Sequence, residues 1–284
     1  MQTTQLIEFG SRILQNNGIA THRIDSEIIL AHVLNQPRER ILIEEKFVHE
    51  KERYKFESLI SRRLRFEPVA YILKRKEFRS KNFFVDKNSL IPRPETELLI
   101  DPIIKIFRKK SLFFLDIGVG TGCIMLSILK ELRHSKGLGI DICRKTIINA
   151  KINIKRMRLE NRGKFSCRSV DQILNQKFDL IVSNPPYVLK RHINQLTNDI
   201  KRFEPHHALN GGNDGLDVIK KVIYKSRSIL KYNGILALEI GRGQYLPVLE
   251  ILRRNGFKKL KIIKDYMDNV RCIFSTLAIK KKKS

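Results

Sequence analysis

Three short segments hold residue types that do chemistry at strand ends. The first is Asp116-Ile117-Gly118-Val119-Gly120-Thr121-Gly122, which follows an apolar run and opens a helical stretch. Glycine is needed there because the turn is tight and a ligand must approach backbone that carries no Cβ. The second is Asp141, which ends the next apolar run nineteen residues past Gly122. An acidic residue about 20 positions on is where ribose hydroxyls are held in nucleotide-binding sheets. A glycine turn and a helix-capping Asp are the plain alternatives, and a dinucleotide dehydrogenase would use the same two features. The third is Asn184-Pro185-Pro186-Tyr187, directly after Leu180-Ile181-Val182-Ser183. An amide or aryl amine nitrogen is a poor nucleophile because its lone pair is delocalised. The Asn184 side-chain oxygen and the Pro185 carbonyl can accept its two N–H protons and aim the lone pair at a methyl sulfonium. The prolines stiffen the loop, and the Tyr187 ring can stack on a planar amide.

The elements that position these segments read as two kinds. Up to about Leu73 the pattern is helical. Thr3 or Thr4 caps a helix with Leu6, Phe9 or Gly10, Ile13 and Leu14 inward, and Gly18 ends it. Asp25 opens a second helix with Ile28, Ile29, His32 and Val33 at helical spacing, His32 being a packing residue. Glu50 to Arg65 forms a third, with Tyr54, Leu59, Ile60 and Leu64 on its apolar side and Pro68 closing it. Phe78 to Phe84 suggests a hairpin around Ser80-Lys81-Asn82. From Glu95 onward helices alternate with short apolar runs, as a parallel sheet covered on both faces requires. The runs are Leu112–Asp116, Gly137–Asp141, Phe165–Arg168, Phe178–Val182 and Ile235–Glu239. Two late strands, Lys258 to Lys264 and Arg271 to Ile279, are divided by a turn at Asp268-Asn269. The expected division is residues 1–75 as a helical domain, 76–92 as a hairpin linker and 93–284 as the sheet domain.

Composition bounds the rest. With 284 residues, 42% hydrophobic and 30% charged, the chain suits a soluble protein of one full domain and a smaller one. No run approaches the roughly 18 apolar residues of a membrane span, and the N-terminus lacks a basic-then-apolar leader, so a cytoplasmic location is expected. Cys123, Cys143, Cys167 and Cys272 lie far apart, which argues against disulfides or zinc and for reduced, mostly buried thiols. The net charge of +27 draws the chain to RNA or to an acidic protein. The run Lys280–Lys283 reads as a solvated tail.

Further motifs give the chain a resemblance. Besides the three segments these are Ile91-Pro92-Arg93-Pro94-Glu95-Thr96-Glu97, Arg202-Phe203-Glu204-Pro205 with Ala208-Leu209, Gly211-Gly212-Asn213-Asp214-Gly215, and Asp265-Tyr266 before Asn269. With them the chain resembles the release factor glutamine methyltransferases over nearly its whole length. The resemblance implies an α/β fold, a seven-stranded Rossmann-like S-adenosylmethionine-dependent methyltransferase domain behind a small N-terminal helical bundle. It implies that Gly118, Val119, Gly120, Thr121 and Gly122 hold the methionine part of S-adenosyl-L-methionine, Asp141 its ribose, and Asn184 to Tyr187 the substrate glutamine, with Asn184 also near the cofactor. The implied substrate is the glutamine of the Gly-Gly-Gln loop in class-one release factors, docked by the helical domain, with no membrane and no required nucleic acid. Where family members often carry an acidic-aromatic pair near the adenine, this chain has Ser169-Val170-Asp171, leaving Asp171 as the candidate adenine contact. Two rival readings remain. An adenine amino-methyltransferase shares the loop chemistry, but no separate base-recognition domain is expected here. A basic RNA- or ribosome-binding protein with an inert methyltransferase fold draws only on the charge.

Overall fold

A computed structural model describes residues 1–174 and 176–277. In chain order the helices are α1 (Thr3–Asn16), α2 (His22–Val33), α3 (Arg38–Ile43), α4 (Glu50–Leu64), α5 (Val69–Ile72), α6 (Ile100–Phe107), α7 (Cys123–Glu131), α8 (Arg144–Met157), α9 (Asn198–Phe203), α10 (Asp217–Ile229) and α11 (Tyr245–Arg254). The strands are β1 (Lys76–Phe78), β2 (Lys81–Phe83), β3 (Phe113–Ile117), β4 (Lys136–Asp141), β5 (Gly163–Cys167), β6 (Phe178–Ser183), β7 (Leu230–Glu239), β8 (Phe257–Lys264) and β9 (Val270–Leu277). The chain divides into two compact units, Met1–Arg75 with Thr197–Phe203, and Lys76–Leu196 with Glu204–Ser284. The hairpin β1/β2 is thus part of the sheet unit, and α9 part of the helical one.

In the helical unit, α1, α2 and α4 meet where Gly10 leaves room. A Cβ there would lie 2.6 Å from Ser26 Oγ and 2.7 Å from the Phe56 ring. Leu6, Leu14, Ile29, Leu30, Phe56 and Ile60 fill the core. Of the two alternatives Phe9 and Gly10, Gly10 is the one that faces inward and Phe9 is exposed, while Tyr54, expected inward, is exposed because Phe56 occupies the face that meets α1. The first helix is capped by Gln2, whose N–H donates to Gln5 Oε1 at 3.0 Å, and not by a threonine hydroxyl. Asp25 lies inside α2 and does not open it. Its carboxylate accepts from Arg63 Nε at 2.7 Å and from Thr21 Oγ1 at 2.6 Å, a buried pair that ties α2 to α4. The short helices α3, α5 and α9 were not legible, since four to six residues show no period.

In the sheet unit the strand order is β5-β4-β3-β6-β7-β9-β8. The first five strands are parallel, and β9 is antiparallel to both neighbours, so the sheet is mixed. A tight turn joins β8 to β9, and such a connection forces antiparallel pairing. Each central strand sends alternate residues into two cores: Phe114, Leu180, Val182 and Ala237 to one face, Leu115, Ile181, Leu236 and Leu238 to the other. Burial on both faces is why these strands read as unbroken apolar runs. The hairpin turn is Arg79-Ser80, both at positive φ (48° and 55°), with Phe78 opposite Lys81. A two-residue turn of this kind matches strand twist, and it lies one step before the expected position. Ala278, Ile279 and the lysine run fall outside the described residues. Cys123 and Cys272 are buried, but Cys167 is exposed and Cys143 half-buried, so the thiols are less sheltered than expected. Among the described residues no helix is long and apolar enough to cross a membrane, and no three His, Cys, Asp or Glu side chains gather as metal ligands.

Parallel register brings the carboxyl ends of β3, β4, β6 and β7 to one edge. Asp116 lies opposite Val182, and Ser183 opposite Leu238. Asp141, Asn184 and Glu239, at the ends of β4, β6 and β7, therefore lie along that one edge.

Candidate active site

The loop after β3 turns through three left-handed glycines, Gly118 (φ 72°), Gly120 (φ 56°) and Gly122 (φ 83°). Its N–H groups are used within the fold. Gly118 and Val119 donate to Ile140 O at 2.9 and 3.0 Å, Gly120 to Asp141 Oδ2 at 3.2 Å and Gly122 to Val119 O at 2.8 Å. What the loop offers a ligand is bare Cα surface. A Cβ built on Gly118 or Gly120 would have no neighbour nearer than 4.0 Å, so both face open space in a cleft of about 220 Å³. Val119 and Thr121 point into the protein, and Gly122 lies under Leu126 and Phe165 at 3.2 Å. Of the five glycine-loop candidates, two line the cleft and three support it.

Asp116 is fully buried beneath this loop. Its Oδ2 accepts from Met125 N–H at 3.1 Å and its Oδ1 has no partner among the described residues. Burial pushes its carboxyl up to about 7, and nearby Asp141 adds to the shift. Asp141 lines the cleft, and burial raises its carboxyl also. Besides the Gly120 bond, its Oδ1 accepts from Cys143 N–H at 3.0 Å. This side chain therefore holds the glycine loop and the start of α8 as well as facing the cleft. Each oxygen retains a second lone pair for a hydroxyl donor.

The cleft continues between Ile142, Ser169 and Val170 on one wall and Asn88, Ser89 and Leu90 on the other. The 88–90 wall escaped sequence reasoning because α8 fixes it from afar. Thr146 Oγ1 donates to Asn88 O at 2.6 Å and Asn149 Nδ2 to Ser89 Oγ at 3.1 Å. Asp171 does not line the cleft. Its exposed carboxylate pairs with Lys221 Nζ at 2.5 Å, which turns it toward α10.

The Asn184–Tyr187 loop abuts the glycine loop: the Asn184 carbonyl is the atom 4.0 Å from a Cβ on Gly118. Asn184 and Pro186 line the cleft, while Pro185 is buried behind them. Ser183 Oγ donates to Ile117 O at 2.7 Å and locks the two strand ends. Asn184 Nδ2 donates to Thr96 Oγ1 at 3.0 Å, which directs Oδ1 away from Thr96. Gln244 pins the far end, with Nε2 donating to Tyr187 O at 3.2 Å and Gly215 O at 3.0 Å and Oε1 accepting from Gly241 N–H at 2.8 Å. Gly215 is left-handed (φ 74°), and a Cβ there would lie 2.6 Å from Tyr187 O, so the Gly-Gly-Asn-Asp-Gly motif lets this loop pack closely. The Arg271 guanidinium covers one face of the Tyr187 ring at 5.8 Å. Burial pushes the Tyr187 hydroxyl up, and the neighbouring Glu239 adds to this. Of the Arg202–Pro205 motif, Glu204 is buried, accepting from Arg93 Nη2 at 2.5 Å, so it braces the Ile91–Glu97 segment that carries Thr96.

The bare glycine loop, the carboxylate beside it and the apolar walls fit an adenosyl ligand. The sequence matches a PrmC N-terminal domain over residues 5–73 and a methyltransferase small domain over residues 94–213. A release factor glutamine methyltransferase of Clostridium botulinum is 35% identical over 94% of this chain and 96% of that protein. One of Rhodospirillum rubrum is 33% identical over 95% of this chain and 84% of that protein. A methyltransferase structure from Pyrococcus furiosus shares the fold, with a TM-score of 0.53 at 19% identity, covering 77% of this chain and 99% of that one. With identity above 30% along nearly its whole length, the chain belongs to the release factor glutamine methyltransferases, S-adenosyl-L-methionine-dependent enzymes that methylate a protein glutamine at nitrogen.

Proposed function

We propose that this chain methylates the side-chain amide nitrogen of the glutamine in the Gly-Gly-Gln motif of class-one peptide chain release factors. The observation that carries the reading is the Asn184 amide. Its nitrogen is committed to Thr96 at 3.0 Å, so its oxygen serves as the acceptor at the cleft wall.

S-adenosyl-L-methionine, when bound, supplies an electrophilic methyl group on sulfonium sulfur. Gly118 and Gly120 would hold its amino-acid part by close backbone approach, and Asp141 its ribose hydroxyls. Asn184 Oδ1 and the Pro185 carbonyl accept hydrogen bonds from the two N–H groups of the substrate amide, which disfavours its planar, delocalised form. The Tyr187 ring, braced by Arg271 on one face, stacks on the substrate amide with the other. Orientation of this kind removes an entropic barrier that a free amide would meet in water.

The helical unit docks the protein substrate in this reading. The reaction runs in the cytoplasm, without a membrane and without nucleic acid. The net charge of +27 hastens encounter with an acidic partner. Incubating the purified chain with a release factor and S-adenosyl-L-methionine, then mapping tryptic peptides by mass spectrometry, tests the reading. One added methyl on the Gly-Gly-Gln glutamine is expected. A methyl on another residue, or none, overturns it.

A further inference from the structure

Glu239, the last residue of β7, is a buried acid that the reading above leaves without a task. It is 0% exposed, and among the described residues neither carboxylate oxygen has an aligned hydrogen-bond partner. A carboxylate in that setting is costly to keep, and an apolar side chain would pack a strand end more stably. Its neighbours are the substrate-site residues themselves. The hydroxyls of Thr96 and Tyr187 adjoin it and favour its charged form, as does the Arg271 guanidinium. Thr96 is 2% exposed and holds Asn184.

A hydroxyl has one proton and can turn it either way. If Thr96 gives that proton to Glu239, its oxygen can only accept from Asn184, so Asn184 must present Nδ2 to Thr96 and Oδ1 to the cleft. If Glu239 instead donates, Thr96 turns its proton toward Asn184. The amide then gains by flipping, which puts a donor where the substrate N–H needs an acceptor. We propose that Glu239, acting through Thr96, is the positioning residue that fixes which way round the Asn184 amide faces the substrate. The proposal rests on the amide-orienting reading above.

The charged groups around Glu239 set its titration. Glu95 pushes it up, Arg271 pulls it down, and burial raises the Cys272 and Cys123 thiols on β9 and α7 so that both stay neutral. Burial is the largest influence, and the carboxyl stands at about 7. Its neutral form prevails below that pH, so methyl transfer should fall as pH drops through about 7.

The test compares wild type, Glu239→Gln, Thr96→Val and Thr96→Ser as full chains. Turnover and KM for a release factor are measured from pH 5.5 to 9, with cofactor affinity by calorimetry. In parallel, the Asn184 side-chain ¹⁵N signals, assigned by their loss in Asn184→Asp, are followed through the same pH range. Glu239→Gln and Thr96→Val should lower kcat at pH 8 by about 10-fold or more with cofactor affinity within about twofold, and both should lose the limb near pH 7. Thr96→Ser should restore turnover and the limb. The Asn184 amide signals should shift near pH 7 in wild type and stay still in Glu239→Gln. Amide signals insensitive to pH in wild type overturn the proposal even if no methyl reaches a release factor, an outcome that by itself overturns only the substrate reading. Wild-type turnover and limb in Glu239→Gln, or losses confined to KM or thermal stability, also overturn it. Should the valine variant fail to fold, the Gln and Ser variants and the wild-type titration still decide.

Discussion

The loops after β3 and β6 lie side by side at one sheet edge, yet they are held in opposite ways. The glycine loop is held mainly by the end of the adjoining strand, through Ile140 O and the Asp141 carboxylate, with Asn153 Nδ2 of α8 donating to Thr121 O at 2.9 Å. The Asn-Pro-Pro-Tyr loop is held by side chains from Thr96, Gln244 and Arg271, up to 88 residues away in sequence. A loop that only has to leave space for a ligand can be specified locally. One that must aim two acceptors at a single nitrogen needs rigid support from several elements.

The comparison breaks most visibly at Asn184. Asn184→Ala removes one acceptor and leaves a substrate N–H unsatisfied in a closed site, about 1–3 kcal/mol on binding grounds alone. Lost alignment adds to that, so turnover should drop by about 100-fold or more while cofactor affinity stays nearly unchanged. Wild-type turnover would end the amide-orienting account.

On the other loop, Asp141→Ala should weaken S-adenosyl-L-methionine binding by about 10- to 100-fold, the loss of one or two hydrogen bonds to a charged acceptor. Because Asp141 also accepts from Gly120 and Cys143, the loss should be accompanied by faster amide hydrogen exchange at those two residues. Unchanged affinity by calorimetry would remove Asp141 from the site.

Much of this division was readable in advance. Asp116 to Gly122, Asp141 and Asn184 to Tyr187 announce themselves because their work is local: a turn, a strand end, a stiff tetrapeptide. The five parallel strands were legible because burial on both faces leaves unbroken apolar runs, and their ends fell within a few residues except for β7, which begins at Leu230 and not Ile235. Glu239 ended an expected strand but showed no sign of its burial against Thr96 and Tyr187, since nothing in Leu236-Ala237-Leu238-Glu239 tells which way the acid points. Gln244 and Arg271 were silent for the same reason, their partners being brought near only by the sheet. Asp171 follows Ser169 and Val170 in sequence but is not on the cleft wall, its carboxylate being paired with Lys221 of α10.

Gln244 offers a gentler way to separate the two loops. Gln244→Ala leaves the Tyr187 and Gly215 carbonyls and the Gly241 N–H without their partner in a mostly buried place. Each such group costs about 1–3 kcal/mol unless water replaces the amide, so a stability loss of about 2 kcal/mol is expected in chemical denaturation. Turnover should fall several-fold and cofactor affinity hardly at all. Equal losses in both would mean that the two loops share their support.

The smallest effect concerns Asp116, beneath the glycine loop. Its folded carboxyl stands at about 7 against an ordinary 3.8, so the folded state binds its proton more tightly than the unfolded chain does. The stability this proton contributes is complete below pH 3.8 and is lost as pH rises through about 7. Glu239, raised from 4.5 to about 7, acts in the same sense. Each contributes at most about 1.4 kcal/mol per pH unit within its window. Glu27, lowered by Arg23 and Arg38, acts in the opposite sense at lower pH, so the informative quantity is the difference between variant and wild type. Asp116→Asn keeps an acceptor for the Met125 N–H and cannot ionise. Thermal melts of the cofactor-free protein at pH 5, 6, 7 and 8 should therefore show the variant losing less stability toward alkaline pH than wild type, with the remaining slope reduced further when Glu239→Gln is added. Parallel curves for the variant and wild type would place the Asp116 proton elsewhere, and the burial beneath the glycine loop would carry no electrostatic cost.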